Sequence, residues 1–334
     1  MTRVLLTGAT GTFGRYLARE LLARECELVV IVRGRDEDEA RRRVLAAVVP
    51  KSVDAVTTVC GDLGEPELAL ENRASVRSCH VVLHAAASTS FGLTLEAARE
   101  ANVEGTAAVL RLARSLPTLE TIGYVGTAFV AGRRVGRIYE AELRHRAGFA
   151  NAYERSKYEA ELVARACGLP LCVFRPSVIV ENETTSVPTA LRACLQLIAS
   201  ERLTALPSPP HATLDVITAR DAARAIVDLL LTRQRGHVYH VASGDSAPRV
   251  ADIALAGTGR RVAFMDLPTF EDELRRLQSR SAASARVYGS LGSALKILAY
   301  PKVFDTRAAE AALGRSVAQA DPLRVIGRTL EAAA

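Results

Sequence analysis

The sequence predicts an α/β protein built on a doubly wound parallel sheet, with a smaller C-terminal subdomain, on three observations. Short apolar runs alternate with longer helical patterns from the first residues to about 177. The first run, Val4-Leu5-Leu6-Thr7, leads straight into a loop with Gly8, Gly11 and Gly14 in G-x-x-G-x-x-G spacing. After Ser177 the rhythm breaks, and mainly short helical patterns follow.

Strands are expected at about 3–7, 27–33, 55–60, 80–84, 121–127 and 171–175, in apolar runs suited to burial on both faces. Helices are expected between them near 13–24, 37–48, 94–115 and 153–167. The first follows the glycine loop and is amphipathic through Leu17, Leu21 and Leu22. Right-handed crossovers among these six strands give a Rossmann-type sheet with its ligand at the carboxyl edge. From Glu181 to Pro210 come polar residues, prolines and one helical pattern (Thr189–Ser200), so this stretch is expected to leave the sheet. A helix beginning at Arg220 returns, and Val238-Tyr239-His240-Val241 reads as a further strand. Residues 1–178, with returning segments at about 213–243, therefore form the main domain; 179–212 and 244–334 form the subdomain.

The 334 residues suit one large domain or two intimately joined ones. No apolar stretch approaches the roughly 18 residues that span a bilayer, and the first strand starts too near Met1 for a signal peptide. Six scattered cysteines lack C-x-x-C spacing, and several lie in apolar runs, as free thiols of a reducing compartment would. The six histidines show no metal-ligand spacing; His84 and His240 sit in apolar, strand-like contexts. The expectation is a cytoplasmic, metal-free protein. Net charge is +6, but the positives are not interleaved with aromatics as a nucleic-acid surface would be. Two arginine clusters stand out: Arg33, Arg35, Arg41, Arg42 and Arg43 after the second strand, and Arg133, Arg134, Arg137, Arg144 and Arg146 before residue 153.

The glycine loop has a chemical reading as well as a structural one. Unpaired N–H groups at a helix N-terminus, a favourable dipole and bare backbone make a site for the diphosphate of a dinucleotide. Tyr153 and Lys157 stand four residues apart in a helix-forming segment, hence on one face. An ammonium near a phenol favours the phenolate, lowering a pKa of about 10 and making the tyrosine a usable acid or base.

Several motifs occur in one order: Thr7-Gly8-Ala9-Thr10-Gly11 with Gly14, Val32-Arg33, Gly61-Asp62-Leu63, His84-Ala85-Ala86-Ala87 and Asn102-Val103-Glu104-Gly105-Thr106. Tyr124-Val125-Gly126-Thr127-Ala128, Tyr153 with Lys157, and Arg175-Pro176-Ser177 continue the series. This set resembles the extended short-chain dehydrogenases/reductases over nearly the whole chain. Within them it is most similar to the thioester-reductase and fatty-acyl reductase (male-sterility-type) branch, whose members use NADPH to reduce acyl thioesters on coenzyme A or a carrier protein.

The resemblance implies that Thr127 hydrogen-bonds the substrate carbonyl oxygen, that Tyr153 donates a proton to it as hydride arrives, and that Lys157 binds the nicotinamide ribose and tunes the tyrosine. It implies NADP(H) contacts from Gly8, Thr10, Gly11, Thr12, Phe13 and Gly14 in the loop. Asp62 and Leu63 would lie by the adenine, Ala85, Ala86 and Ala87 behind the cofactor, and Pro176 and Ser177 near the nicotinamide. Arg33 and Arg35, with no acid before Asp36, point to the 2′-phosphate of NADP(H). For Asn102, a structural role tying helix to strand competes with a catalytic one.

Substrate-binding would fall to the C-terminal subdomain, with an acyl carrier protein as a possible partner of the arginine-rich loop. The Leu68-Ala69-Leu70 run, Phe91 and Val303-Phe304-Asp305 add softer likeness to the branch. The chain departs from it after Val178-Ile179-Val180, where Glu181-Asn182-Glu183-Thr184-Thr185-Ser186 replaces a glycine-containing loop close to the substrate. That leaves open a ketone or aldehyde reductase, an alcohol dehydrogenase or, less readily, a nucleotide-sugar epimerase. A non-catalytic NADP(H)-binding sensor or scaffold is the alternative outside enzymes.

Overall fold

The computed structural model describes residues 2–49, 53–65, 68, 70, 73–181 and 189–331. Seven strands form the main sheet: β1 (Arg3–Thr7), β2 (Glu27–Val32), β3 (Val56–Cys60), β4 (Val81–His84), β5 (Thr121–Val125), β7 (Leu171–Pro176) and β11 (Val238–Val241). Short strands pair off elsewhere: β6 (Gly136–Ile138) with β13 (Lys302–Phe304), β8 (Val178–Val180) with β10 (Val216–Thr218), and β9 (Ala205–Pro207) with β12 (Ala263–Met265). Helices α1 (Gly14–Ala23), α2 (Glu37–Val48), α3 (Arg73–Arg77), α4 (Leu95–Arg99), α5 (Gly105–Arg114) and α6 (Ala152–Arg165) connect the first strands. After them come α7 (Thr189–Ala199), α8 (Ala219–Leu231), α9 (Val250–Thr258), α10 (Leu267–Gln278), α11 (Ala282–Leu295), α12 (Arg307–Leu313) and α13 (Pro322–Glu331).

The main sheet runs β11-β7-β5-β4-β1-β2-β3, and every pairing in it is parallel. Helices cover both faces, which is why its strands read as unbroken apolar runs rather than as alternation. One face packs Leu17, Leu21, Val44, Ile226 and Leu230 against Val4, Leu6 and Val30. The other packs Val109, Leu110 and Ala160 against Leu5, Val29 and Ile122. Strand order reverses between β4 and β1, whose register sets Thr7 beside His84, so their carboxyl ends flank the crevice in which such sheets bind ligands. A separate apolar cluster joins α7, α9, α10 and α11 through Ile198, Ala254, Phe270, Leu274 and Leu291.

The structure adjusts three expected boundaries, while the further strand falls in the main domain as expected. The expected helix 94–115 is α4, a π-turn at Glu100–Glu104 and then α5. The fifth strand stops at Val125, and Thr127 instead caps a 3₁₀ turn, Ala128–Ala131. The further strand, β11, joins the main sheet on the outer side of β7. Near the C-terminus, Ala309 and Val317 join the core of the main sheet rather than the second cluster, so part of 244–334 packs back on the first domain. Among the described residues no helix is long and apolar enough to cross a membrane.

Candidate active site

The glycine loop is built backbone against backbone. Gly8 has φ +82°, and a Cβ there would lie 2.7 Å from the Ala86 nitrogen. A Cβ on Gly14 would overlap the Gly8 carbonyl oxygen. Only glycine lets β1, the start of α1 and the chain leaving β4 meet so closely. Gly11 N donates to Gly8 O at 2.9 Å, Gly11 and Thr12 are exposed, and Thr10 and Phe13 are part-buried. The N-cap of α1, Phe13, offers no side-chain acceptor. Arg15 N and Tyr16 N already donate to Gly11 O and Phe13 O, so the exposed turn at Gly11–Thr12 before α1 is the open part of the cradle, and it fits a dinucleotide diphosphate.

Around the crevice the other expected cofactor residues fall as follows. Arg33 is exposed just past β2 and has no ion-pair partner among the described residues, while its carbonyl oxygen accepts from the Arg43 guanidinium. Arg35 is 85% exposed and paired with Glu39 at 2.7 Å. Asp36 caps α2, accepting from Glu39 N at 2.7 Å, so the acid nearest β2 has structural work. Asp62 Oδ1 accepts from Gly64 N at 3.0 Å, and Leu63 packs on the second core cluster. Ala85 and Ala86 are part-buried and Ala87 exposed past the end of β4; Pro176 and Ser177 are buried at the end of β7.

His84 ties this edge together. Thr106 Oγ1 donates to Asn102 O at 2.6 Å, so its contact with His84 Nε2 at 3.1 Å must be one in which the imidazole donates. His84 Nδ1 is then the acceptor for the Thr7 hydroxyl at 2.7 Å, and Thr7 Oγ1 in turn accepts from Ala86 N at 3.3 Å. Burial pushes the His84 pKa down to about 3, so the ring stays neutral and keeps this tautomer. Asn102, inside the π-turn, receives Ser88 N at 2.8 Å and donates to Ser88 O and Ser156 Oγ, joining the chain after β4 to α6. Its structural reading is the one this geometry supports. Thr7 and Thr106 stand in the sequence motifs without an assigned role; the signal for that role is His84 itself, a polar ring in an apolar strand that needs two partners.

Asn151 begins α6 by accepting from Glu154 N at 2.9 Å, and Glu154 accepts from Ala150 N at 2.7 Å, a reciprocal cap that orients the helix start. One turn then sets Tyr153 and Lys157 on one face. The Thr127 side chain neighbours the Tyr153 hydroxyl closely enough to favour its ionised form. Thr127 Oγ1 also reaches Pro176 O at 3.5 Å, and the Phe91 ring meets the Tyr153 ring edge-on at 5.4 Å. Lys157 Nζ donates to Val125 O at 3.0 Å and lies 4.7 Å from the centre of the Tyr124 ring. The three residues expected to be catalytic are therefore together.

The electrostatics differ from the expectation in one respect. Burial drives the Tyr153 phenol up to about 12; the Thr127 side chain opposes this and the Glu154 carboxylate adds to it. Lys157 directs its ammonium at the Val125 carbonyl and the Tyr124 ring. Burial brings Lys157 itself down to about 8, against the pull of Glu161.

Arg175 is wholly buried behind this group, paired in a two-point fork with Glu161 at 2.7 and 3.0 Å and donating to the Glu140 and Glu142 carbonyls. In the arginine-rich loop, Arg134 and Arg144 pair with Glu142, and Arg137 pairs with Asp245. Arg133 and Arg146 are exposed. Glu181 is buried and bonded to Arg15 of α1 at 2.6 Å. The rest of the divergent loop, Asn182–Ser186, and Ala69 lie outside the described residues.

The profile of an NAD-binding family described as male sterility protein matches residues 6–226. Among curated proteins, the carboxylic acid reductase of Mycobacterium marinum is 31% identical over 282 residues, covering 71% of this chain and 24% of that protein. The fatty acyl-CoA reductase wat of Drosophila melanogaster is 26% identical over 220 residues, 53% of this chain and 43% of that protein. The chain thus spans less than half the length of either. The crystal structure of the terminal R domain from the myxalamid PKS-NRPS biosynthetic pathway superposes with a TM-score of 0.83 at 25% identity, covering 99% of this chain and 90% of that one.

Proposed function

The chain belongs to the male sterility protein family, and from that premise we propose that it is an NADPH-dependent reductase of acyl thioesters carried on coenzyme A or a carrier protein. The observation that carries the reading is the grouping of Thr127, Tyr153 and Lys157, the last two one helical turn apart on α6, at the sheet edge that also bears the glycine cradle. In this reading Gly8, Thr10, Gly11, Thr12, Phe13 and Gly14 hold the diphosphate. Arg33 takes the 2′-phosphate, since Arg35 is already paired with Glu39. Asp62 and Leu63 flank the adenine; Ala85, Ala86, Ala87, Pro176 and Ser177 line the cofactor's path.

When bound, NADPH supplies the hydride for the thioester carbonyl. Thr127 Oγ1 orients the carbonyl oxygen. Tyr153 Oη donates its proton to that oxygen, a transfer eased by the high basicity the oxygen gains as it becomes an alkoxide. Lys157 holds the nicotinamide ribose and contributes positive charge on the same helical face. Residues 1–178 with about 213–243 serve the cofactor, while 179–212 and much of 244–334 cover the acyl chain.

The test is NADPH consumption with products identified by mass, against acyl-pantetheine and acyl-CoA thioesters and matched ketones and aldehydes. Thiol release with aldehyde or alcohol product is the expected result. Turnover of ketones or aldehydes alone would move the enzyme to carbonyl reduction.

A further inference from the structure

We propose that Asn151 is a positioning residue for the reduction: its side chain ties the helix that carries Tyr153 to α11 of the C-terminal subdomain, and that tie fixes where the Tyr153 hydroxyl stands. This rests on the reading of Tyr153 as the proton donor.

Asn151 is bonded at both ends of its amide. Oδ1 accepts from Glu154 N at 2.9 Å and caps α6, while Nδ2 donates to Ser293 O at 3.2 Å, 142 residues further along the chain. One partner is a backbone donor and the other a backbone acceptor, so a single orientation of the amide serves both. Ser293 O is one of the last four carbonyls of α11, which a helix leaves to partners outside its own turns. Asn, Asp and Ser cap helices about equally well. Of the three, asparagine alone carries an NH₂ group beside its cap acceptor, so capping uses only half of this side chain.

Helix α11 reaches the same region at a second point. A Cβ on Gly92 would lie 3.6 Å from Ser290 Cβ and Oγ, so Ser290 stands against the chain next to Phe91. The Phe91 ring in turn meets the Tyr153 ring. Ser290 and Ser293 are three residues apart and share a face of α11. Tyr288, Leu291 and Leu295 lie on the opposite face and belong to the subdomain's apolar cluster. One side of α11 therefore rests on the subdomain core, and the other on the two segments that flank Tyr153. Tyr153 is the second residue of α6. The N–H groups of a first turn have no partners within the helix, so the cap decides how firmly that turn holds a side chain. A misplacement of about 1 Å can cost on the order of 10²-fold in rate.

The test compares Asn151→Ser and Asn151→Asp in the full chain. Both keep a cap acceptor and lack the amide that donates to Ser293 O. Hydrogen exchange read by mass spectrometry should be several-fold faster over residues 288–299 in both variants and unchanged over 158–167. NADPH affinity by fluorescence titration should be unaltered. For whichever of decanoyl-CoA and decanal the unaltered protein reduces, kcat should fall about tenfold with KM within about twofold. Unchanged exchange over 288–299 overturns the proposal, whatever the enzyme reduces. Faster exchange there with kcat intact overturns the positioning role. A fall in kcat that comes with weaker NADPH binding or faster exchange along α6 overturns it too, since capping is then the whole role. Failure of the proposed function would appear separately, as no reduction of either compound by the unaltered protein or as full turnover in Tyr153→Phe.

Discussion

In the proposed reaction Tyr153 is the proton donor, and its site holds the phenol protonated: burial raises its pKa to about 12, so the group would enter the reaction as an acid. Tyr153→Phe keeps the ring and its Phe91 contact but removes the proton. Reduction should fall by roughly 10²–10⁴-fold, with NADPH affinity nearly unchanged by fluorescence titration; preserved turnover removes the assignment. Lys157 sets a pH limit. Its pKa is depressed to about 8, so the ammonium is present below that pH and lost above it. The kcat/KM profile should therefore decline as pH rises through about 8, and Lys157→Arg, which cannot deprotonate, should move that decline upwards. An unmoved limb in the variant would show that another group sets it. At the adenosine end, Arg33→Asp should shift the NADPH:NADH preference towards NADH, and an unchanged ratio would show that another residue reads the 2′-phosphate.

Elements matter here through their ends. The β1–α1 turn works because two glycines allow three backbone segments to touch, and His84 locks that contact from β4 through Thr7 and Ala86. Gly8→Ala would place a Cβ against the Ala86 backbone and force φ +82° on a residue that resists it. A stability loss of about 1–3 kcal/mol, together with weaker NADPH binding, is expected from thermal unfolding and titration. The expected single helix 94–115 is interrupted by the π-turn, which positions Asn102 between Ser88 and Ser156. Nothing in the residue types from 94 to 115 distinguishes such a turn from continuous helix, because its extra residue is stabilised by partners distant in sequence.

Across the whole molecule, the buried Arg175–Glu161 fork binds the end of β7 to α6 and, through the Glu140 and Glu142 carbonyls, to the arginine-rich loop. Glu140 extends the connection, accepting from His240 N of β11 and from Ala308 N and Ala309 N of α12. Glu161→Gln would leave an uncompensated guanidinium in the core, a class of change that costs about 3–5 kcal/mol. Denaturant unfolding should register a drop of that order; a change below about 1 kcal/mol would mean that the carbonyls and His240 suffice to hold Arg175. Arg175 was visible in sequence only as part of Arg-Pro-Ser. Nothing local in the sequence marks its partner Glu161, since which side of α6 faces the core depends on how the helix docks.

Periodicity and local motif determined the parallel sheet, the glycine loop and the shared face of Tyr153 and Lys157 from the sequence alone, while Thr127 was marked only by the family resemblance. The physical reason is that each is set within a few residues: strand burial by unbroken apolar runs, the loop by glycines that admit no Cβ, and the Tyr–Lys face by one turn of helix. Tertiary structure decided the rest. The direction of the Tyr153 shift, the tautomer of His84, the fork that holds Arg175 and the bond from Asn151 to Ser293 all depend on groups far apart in the chain. Desolvation and hydrogen-bond satisfaction are properties of the packed neighbourhood, and no local pattern encodes them.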